Sequence, residues 1–213
     1  MNHPQAAALR QGLGRLELTL SDSQQSQLLA YLDLLLKWNK VYNLTAFREP
    51  NQVLTHHVLD CLAVIRPMTM RLPDLRNVLD VGAGGGLPAV VIALTCPQIQ
   101  VTAVDSVAKK AAFIQSVAHT LGLVNLQGVH DRVEDVCGPF ELVTSRAFAC
   151  LADFTAWSHQ ALAAQGTWMA MKGRTPHDEI AALPASIRVE GVQVLQVPGL
   201  DAQRCVVWLR PKP

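Results

Sequence analysis

The chain has 213 residues, half of them hydrophobic, which fills the core of one α/β domain with a small extension but not two full domains. Lysine plus arginine number 18 against 17 for aspartate plus glutamate, a formal net charge of +1, so there is no global basic signature and any basic face must be local. The longest apolar run, near Ala89 to Leu94, is far too short for a bilayer span, and Met1 to Arg10 lacks a basic start followed by an apolar stretch; a soluble, cytoplasmic protein is expected.

In chain order, Ser21-Asp22-Ser23-Gln24 carries a Ser-x-x-Gln capping box. Apolar residues follow at 28, 29, 32, 35 and 36, with Trp38 beside them, which predicts an amphipathic helix to about Tyr42. Pro50-Asn51 opens a second helical stretch through Val53, Leu54, His57, Val58, Cys61, Leu62 and Ile65, stopped by Pro67. Residues 1–70 are therefore expected to form a helical extension packed on a core of residues 71–213, in one compact domain. From Asn77 the chain alternates. Strands are predicted at 77–82, 100–105, 124–129, 140–145 and 167–172, with helices from 87, at 107–121 and at 151–163. That rhythm predicts a mainly parallel sheet with helices on both faces. Residues 189–197 and 205–209 have no helix between them and suit a terminal antiparallel hairpin.

The most informative segment is Asn77-Val78-Leu79-Asp80-Val81-Gly82-Ala83-Gly84-Gly85-Gly86-Leu87-Pro88, an apolar strand that ends in an acid and runs through a glycine-rich turn into a helix. Glycines at 82, 84 and 86 permit positive φ and close approach of backbone to a ligand. A dinucleotide site needs Gly-x-Gly-x-x-Gly, and counting from Gly82 puts Leu87 in the sixth place. Gly-x-Gly-x-Gly preceded by an acid two residues earlier instead suits S-adenosylmethionine. Val101-Thr102-Ala103-Val104-Asp105 ends the next strand in an acid, placed either to accept hydrogen bonds from both ribose hydroxyls or to cap the following helix. The fold class expected is thus α/β, a Rossmann-like S-adenosylmethionine-dependent methyltransferase sheet with an N-terminal helical extension. Cys61, Cys96, Cys137, Cys150 and Cys205 are odd in number and never spaced as Cys-x-x-Cys, which predicts reduced core thiols and no metal site.

Several phrases together resemble one family, the bacterial ribosomal RNA small subunit methyltransferase G, also called glucose-inhibited division protein B. They are Lys37-Trp38-Asn39-Lys40-Val41-Tyr42-Asn43-Leu44-Thr45, His57-Val58-Leu59-Asp60, Asp80 to Pro88, Asp105-Ser106, Lys109-Lys110 with Phe113, Arg132-Val133-Glu134, Ser145-Arg146-Ala147-Phe148-Ala149, Lys172-Gly173 and Gln196-Val197-Pro198. The resemblance implies methyl transfer to N7 of one guanine in 16S rRNA, free or in the small-subunit particle, with cofactor contacts at Gly82, Leu87, the Val133-Glu134 pair and Arg146. Cys61 departs from the family's usual Ser, and Ala83 and Ala89 stand in slots often filled by Ser or Thr and by Gly.

The residues themselves fit that reaction. The loop Gly82, Gly84, Gly86 and Leu87, behind Asp80, can approach the amino-acid part of the cofactor, Asp105 its ribose, and the main chain near Val133 its adenine. The Glu134 side chain either orients that contact or caps a short helix. The segment Thr144-Ser145-Arg146-Ala147-Phe148 lacks the Asn- or Asp-Pro-Pro-aromatic turn that resembles enzymes acting on exocyclic amines. Methylation at pyrimidine C5 needs an attacking cysteine, and Cys150 is expected to be buried core. Guanine N7 has an in-plane lone pair and no proton, so no general base is required. Arg146, the expected catalytic residue, should meet the cofactor carboxylate, a phosphate or guanine O6, the alternative being an ion pair with Glu134 or Asp80. Phe148 either stacks a base or belongs to the core. Lys37, Lys40, Lys109, Lys110 and Lys172 are the expected RNA contacts, with Arg48, His56, His57 and Arg174 as further candidates; Trp38 and Tyr42 are expected to face the core. His57 and Asp60, three apart, are expected to hydrogen-bond to each other and fix the extension to the sheet. A monomer is expected. The rival readings are a small-molecule methyltransferase and a non-catalytic cofactor-binding module.

Overall fold

The computed structural model describes residues 3–212. Two helices begin the chain, α1 (Ala6–Arg15) and α2 (Asp22–Tyr42). The capping box at the start of α2 is formed, with Gln24 N donating to Ser21 Oγ at 3.2 Å and Ser21 N to Gln24 Oε1 at 3.0 Å, a cap of about 1 kcal/mol. Helix α1 was not predicted; it buries Leu9 and Leu13 on the second stretch of helix.

That second stretch is broken where one helix was expected. It comprises α3 (Pro50–Val53), a π-helical turn (Leu54–Leu59), α4 (Asp60–Leu62) and α5 (Ile65–Arg71). Pro67 does not stop it. As the third residue of α5, Pro67 lies in a first turn whose N–H groups have no intrahelical acceptor, so its missing donor costs nothing there.

The core has β1 (Asn77–Val81), α6 (Ala89–Thr95), β2 (Gln100–Asp105), α7 (Ala108–Leu121), β3 (Leu126–His130) and β4 (Phe140–Arg146). It continues through α8 (Leu151–Trp157), β5 (Leu162–Lys172), α9 (His177–Ala181), β6 (Ile187–Leu195) and β7 (Arg204–Pro211). The sheet order is β3-β2-β1-β4-β5-β7-β6. Strands β1 to β5 pair in parallel, and β7 runs antiparallel to both β5 and β6. Helix α8 is shorter than expected because Ser158 hydrogen-bonds back to Phe154 O and the chain passes through a 3-10 turn (His159–Ala161) directly into β5.

The two faces are unequal. One carries α6, α7 and the whole helical extension in a single continuous core that includes Tyr31, Leu32, Phe113, Met169 and Trp208. The other packs α8 and flanking loops on Leu79, Val81, Val143, Trp168 and Val207. Between β3 and β4 the crossover holds only a 3-10 turn (Val133–Asp135), which leaves the carboxyl end of the sheet open on that side. Among the described residues no helix is long and apolar enough to cross a membrane.

Candidate active site

The carboxyl ends of the parallel strands lie in register, and ligands of open α/β sheets bind there. Val81 pairs with Val104 and Ser145, placing Gly82, Asp105 and Arg146 side by side, while Arg146 pairs with Met171. Gly82, Gly84 and Gly86 have φ of 64°, 57° and 81°, a region that side chains with a Cβ rarely enter. A Cβ on Gly82 would land on the Phe148 ring. Asp105 ties the loop down: Oδ2 accepts from Gly84 N at 2.9 Å and Oδ1 from Val107 N at 2.9 Å, just before α7. The carboxylate thus braces the chain leading into α7 and also lines the adjoining cavity.

That cavity, of about 390 Å³, is lined by Gly82, Asp105, Lys110, Val133, Glu134, Phe148 and Trp157 among others. Its size falls within the range of small-molecule sites. Its lining combines the Asp105 acid at the end of β2 with an apolar wall where the Phe148 and Trp157 rings meet edge to face at 5.8 Å. Trp157, 41% exposed, carried no sequence signal beyond its place in a short helix. Phe148 is half-buried pocket wall. Glu134 pairs with Arg132 at 3.1 Å.

Asp80 lies behind the loop and is fully buried, away from the cavity lining. One oxygen accepts from Ala89 N at 3.0 Å, at the start of α6, and the other has no partner among the described residues. Burial pushes its carboxyl up to about 7. This acid ties the end of β1 to the start of α6, on either side of the glycine loop. Gly84, Gly86 and Leu87 likewise stand behind Gly82 and not in the lining.

Arg146 does not pair with Glu134 or Asp80. Its Nη1 donates to Asp60 Oδ2 and to His56 O, each at 3.2 Å, and lies 3.2 Å from His57 Nδ1. Asp60 Oδ1 accepts from Arg204 Nε at 3.0 Å. The expected His57–Asp60 hydrogen bond is thus replaced by a shared partner, since the guanidinium stands between them. His57 Nδ1 thus lies between the Arg146 guanidinium, which can only donate, and His56 O at 2.9 Å, which can only accept, while Nε2 faces Thr45 Oγ1. Burial, with the Arg146 charge adding to it, lowers His57 to about 4. Thr45 is placed by Asn39, whose amide donates to Phe47 O at 3.0 Å and accepts from Thr45 N at 2.8 Å. The Trp38–Thr45 phrase thus acts on the sheet at long range.

A second cavity, of about 280 Å³, opens on this cluster and is lined by Asp60, Arg146, Ala147, Met171, Lys172 and Arg204 among others. Ala147 lines both cavities and has φ of 54°, an uncommon conformation of the kind that collects at functional sites. Arg204 was not singled out in the sequence. The antiparallel run of β7 brings its first residue to the carboxyl end of the sheet, which no local pattern announces.

The expected basic contacts separate into three groups. Lys37, Lys40 and Lys109 are exposed, and Lys109 Nζ lies 5.9 Å from the Tyr42 ring centroid, joining α2 to α7. Tyr42 is on the surface, with Trp38 half-buried between it and Phe113. Lys110 stands in the first cavity, 3.7 Å from Asp105 Oδ2. Lys172 donates to Glu179 at 2.8 Å and to Ala149 O at 2.9 Å, so its charge is already compensated. Cys150 is exposed and its sulfur caps α8, correcting the buried-core expectation, and Cys137 is exposed as well. The remaining three thiols are buried.

This strand order, the positive-φ glycine loop over an acid and the acid closing β2 define a Rossmann-like methyltransferase that uses S-adenosylmethionine. Solved structures share that architecture: a ribosomal protein L11 methylase from Lactobacillus delbrueckii subsp. bulgaricus aligns at a TM-score of 0.55 and 18% identity, covering 73% of this chain and 77% of that one. TrmN from Thermus thermophilus aligns at 0.54 and 18% identity, covering 75% and 53%. At the level of sequence, the family described as rRNA small subunit methyltransferase G matches residues 24–207, and the chain belongs to that family. Relatives named ribosomal RNA small subunit methyltransferase G are 59% identical in Acidovorax sp. (strain JS42), covering 96% of this chain and 94% of the relative, and 56% identical in Polaromonas sp. (strain JS666 / ATCC BAA-500), covering 96% and 92%.

Proposed function

We propose that the chain methylates N7 of one guanine in 16S rRNA, with S-adenosylmethionine in the cavity between the glycine loop and Phe148 and the target base in the cavity beyond Ala147. The observation that carries this is the shared wall: Ala147 lines both cavities, so a donor and an acceptor seated in them meet at one residue.

The cofactor, when bound, would supply a methyl carbon to the N7 lone pair, the carbon–sulfur bond breaking with its electron pair left on the sulfur as a neutral thioether. Gly82 and the loop behind it receive the amino-acid portion, with Asp105 and Lys110 flanking the ribose side. Val133, Phe148 and Trp157 exclude water around the base. Arg146 and Arg204 offer guanidinium donors that match O6, the acceptor next to N7 on guanine's outer edge, whereas adenine presents a donor there. No described residue in the second cavity is required as a base, because N7 carries no proton. Alignment is the main contribution, and positioning of this kind can remove about 7 to 11 kcal/mol of barrier. The exposed Lys37, Lys40 and Lys109 supply the backbone contacts that such a substrate needs. A monomer is the simplest reading, and an rRNA substrate supports a cytoplasmic location.

Comparing N7-methylguanosine in 16S rRNA from cells with and without the gene tests the reading. Loss of one methylated guanine on deletion is expected; an unchanged rRNA overturns it. Purified protein offered naked 16S rRNA and small-subunit particles then separates the two substrates.

A further inference from the structure

The glycine loop is held from the side opposite the cavity by a residue of the helical extension. Tyr31, in the middle of α2 and fully buried, donates its phenol to Gly85 O at 2.6 Å. Burial holds that phenol well above its ordinary pKa, so it remains a donor. The same helix closes the space around the turn: a Cβ on Gly85 would come within 2.9 Å of Leu35 Cδ1, and one on Gly86 within 3.7 Å of the Tyr31 oxygen. The turn itself is closed by Gly86 N donating to Ala83 O at 2.7 Å.

We propose that Tyr31 is a positioning residue for the cofactor, fixing the Gly85–Gly86 peptide from the extension so that the loop is already in its binding shape. Consecutive glycines lose more conformational freedom on ordering than any other residues, and a loop ordered beforehand spares that cost when ligand binds. Asp105 fixes the front of the loop at Gly84 N; Tyr31 fixes its back at Gly85 O. Because α2 also ends in the exposed Lys37, Lys40 and Tyr42, one rigid helix spans from the loop to the basic edge. The inference rests on the cofactor cavity assigned above.

Tyr31→Phe keeps the ring and removes only the hydroxyl, leaving Gly85 O buried without its donor. Calorimetric titration with S-adenosylhomocysteine should show about a tenfold weaker Kd, the scale expected for one buried hydrogen bond. Turnover at saturating cofactor and KM for RNA should stay within about twofold of wild type. Leu28→Ala, on the same helix and also fully buried, serves as the control for loss of stability alone, with Kd expected unchanged. Amide hydrogen exchange of the cofactor-free protein should be faster over Gly84–Leu87 in Tyr31→Phe and not in Leu28→Ala. Wild-type affinity and loop protection in Tyr31→Phe overturn the proposal, as does an equal weakening in Leu28→Ala. If Asp105→Ala leaves affinity intact in the folded protein while Tyr31→Phe weakens it, the cavity assignment has failed and the role of Tyr31 has not.

Discussion

Asp60, from the helical extension, meets Arg146, at the end of β4, at 3.2 Å through one carboxylate oxygen, and its other oxygen takes Arg204 from β7 at 3.0 Å. Asp60 is 2% exposed, so one buried carboxylate holds two guanidiniums at the mouth of the second cavity. Removing the carboxylate leaves both cations uncompensated, a loss of about 3 to 5 kcal/mol for a buried pair. Asp60→Asn should therefore lower the stability measured by urea unfolding by several kcal/mol and reduce turnover in the remaining folded enzyme. A stability within about 1 kcal/mol of wild type contradicts the structural role.

Arg146→Lys keeps the charge and loses the planar guanidinium, whose Nη1 serves Asp60 and His56 O while Nη2 lies beside His57 Nδ1. If Arg146 aligns the reacting groups, kcat on 16S rRNA or its particle falls tenfold or more at saturating substrate. A change confined to KM contradicts that alignment.

Lys37, Lys40 and Lys109 should behave differently. Their joint replacement by Ala should raise KM for RNA and flatten its dependence on salt, with kcat nearly preserved, as expected for phosphate contacts. Lys110→Ala should instead weaken S-adenosylhomocysteine binding and leave the salt slope alone, because Lys110 faces Asp105. Steady-state kinetics across a salt series, with calorimetry, separates the two groups; identical behaviour of all four contradicts the division.

Two buried groups make stability depend on pH in opposite directions. His57 is near 4 in the native state against about 6.5 unfolded, so the unfolded chain binds the extra proton and stability is lost as pH falls from 6.5 toward 4. Asp80 is near 7 in the native state against about 4 unfolded. Here the native state holds the extra proton, and stability is lost as pH rises from 4 toward 7. Relative to wild type, His57→Gln should gain stability as pH is lowered and Asp80→Asn as pH is raised, each by at most about 1.4 kcal/mol per pH unit. Urea unfolding between pH 4 and 7 measures the difference curves, and parallel curves contradict both assignments.

Cys150→Ala should keep methylation, since N7 needs no covalent intermediate and the thiol serves as a weak cap of α8. A variant that folds and binds cofactor and RNA but has no turnover contradicts direct transfer.

Local patterns of residues were enough to determine the alternating elements, the glycine turn with its positive φ values, the capping box of α2 and the terminal hairpin. Each of these depends on spacings of two to four residues along the chain, where backbone geometry alone imposes the period. Asp105 was legible for the same reason, as the acid that closes a strand beside that turn. What joins the extension to the sheet was decided only in three dimensions. Tyr31 reaches Gly85, Asp60 gathers Arg146 and Arg204, and Lys110 and Lys172 turn from the basic edge to Asp105 and Glu179. These partners lie between 5 and 144 positions apart in the chain, Asp105 and Lys110 nearest and Asp60 and Arg204 farthest. Even the nearest pair depends on how α7 is seated against β2. Burial then decides the chemistry: a tyrosine or an aspartate removed from water must find a specific partner, and only the packed fold determines which one is within reach.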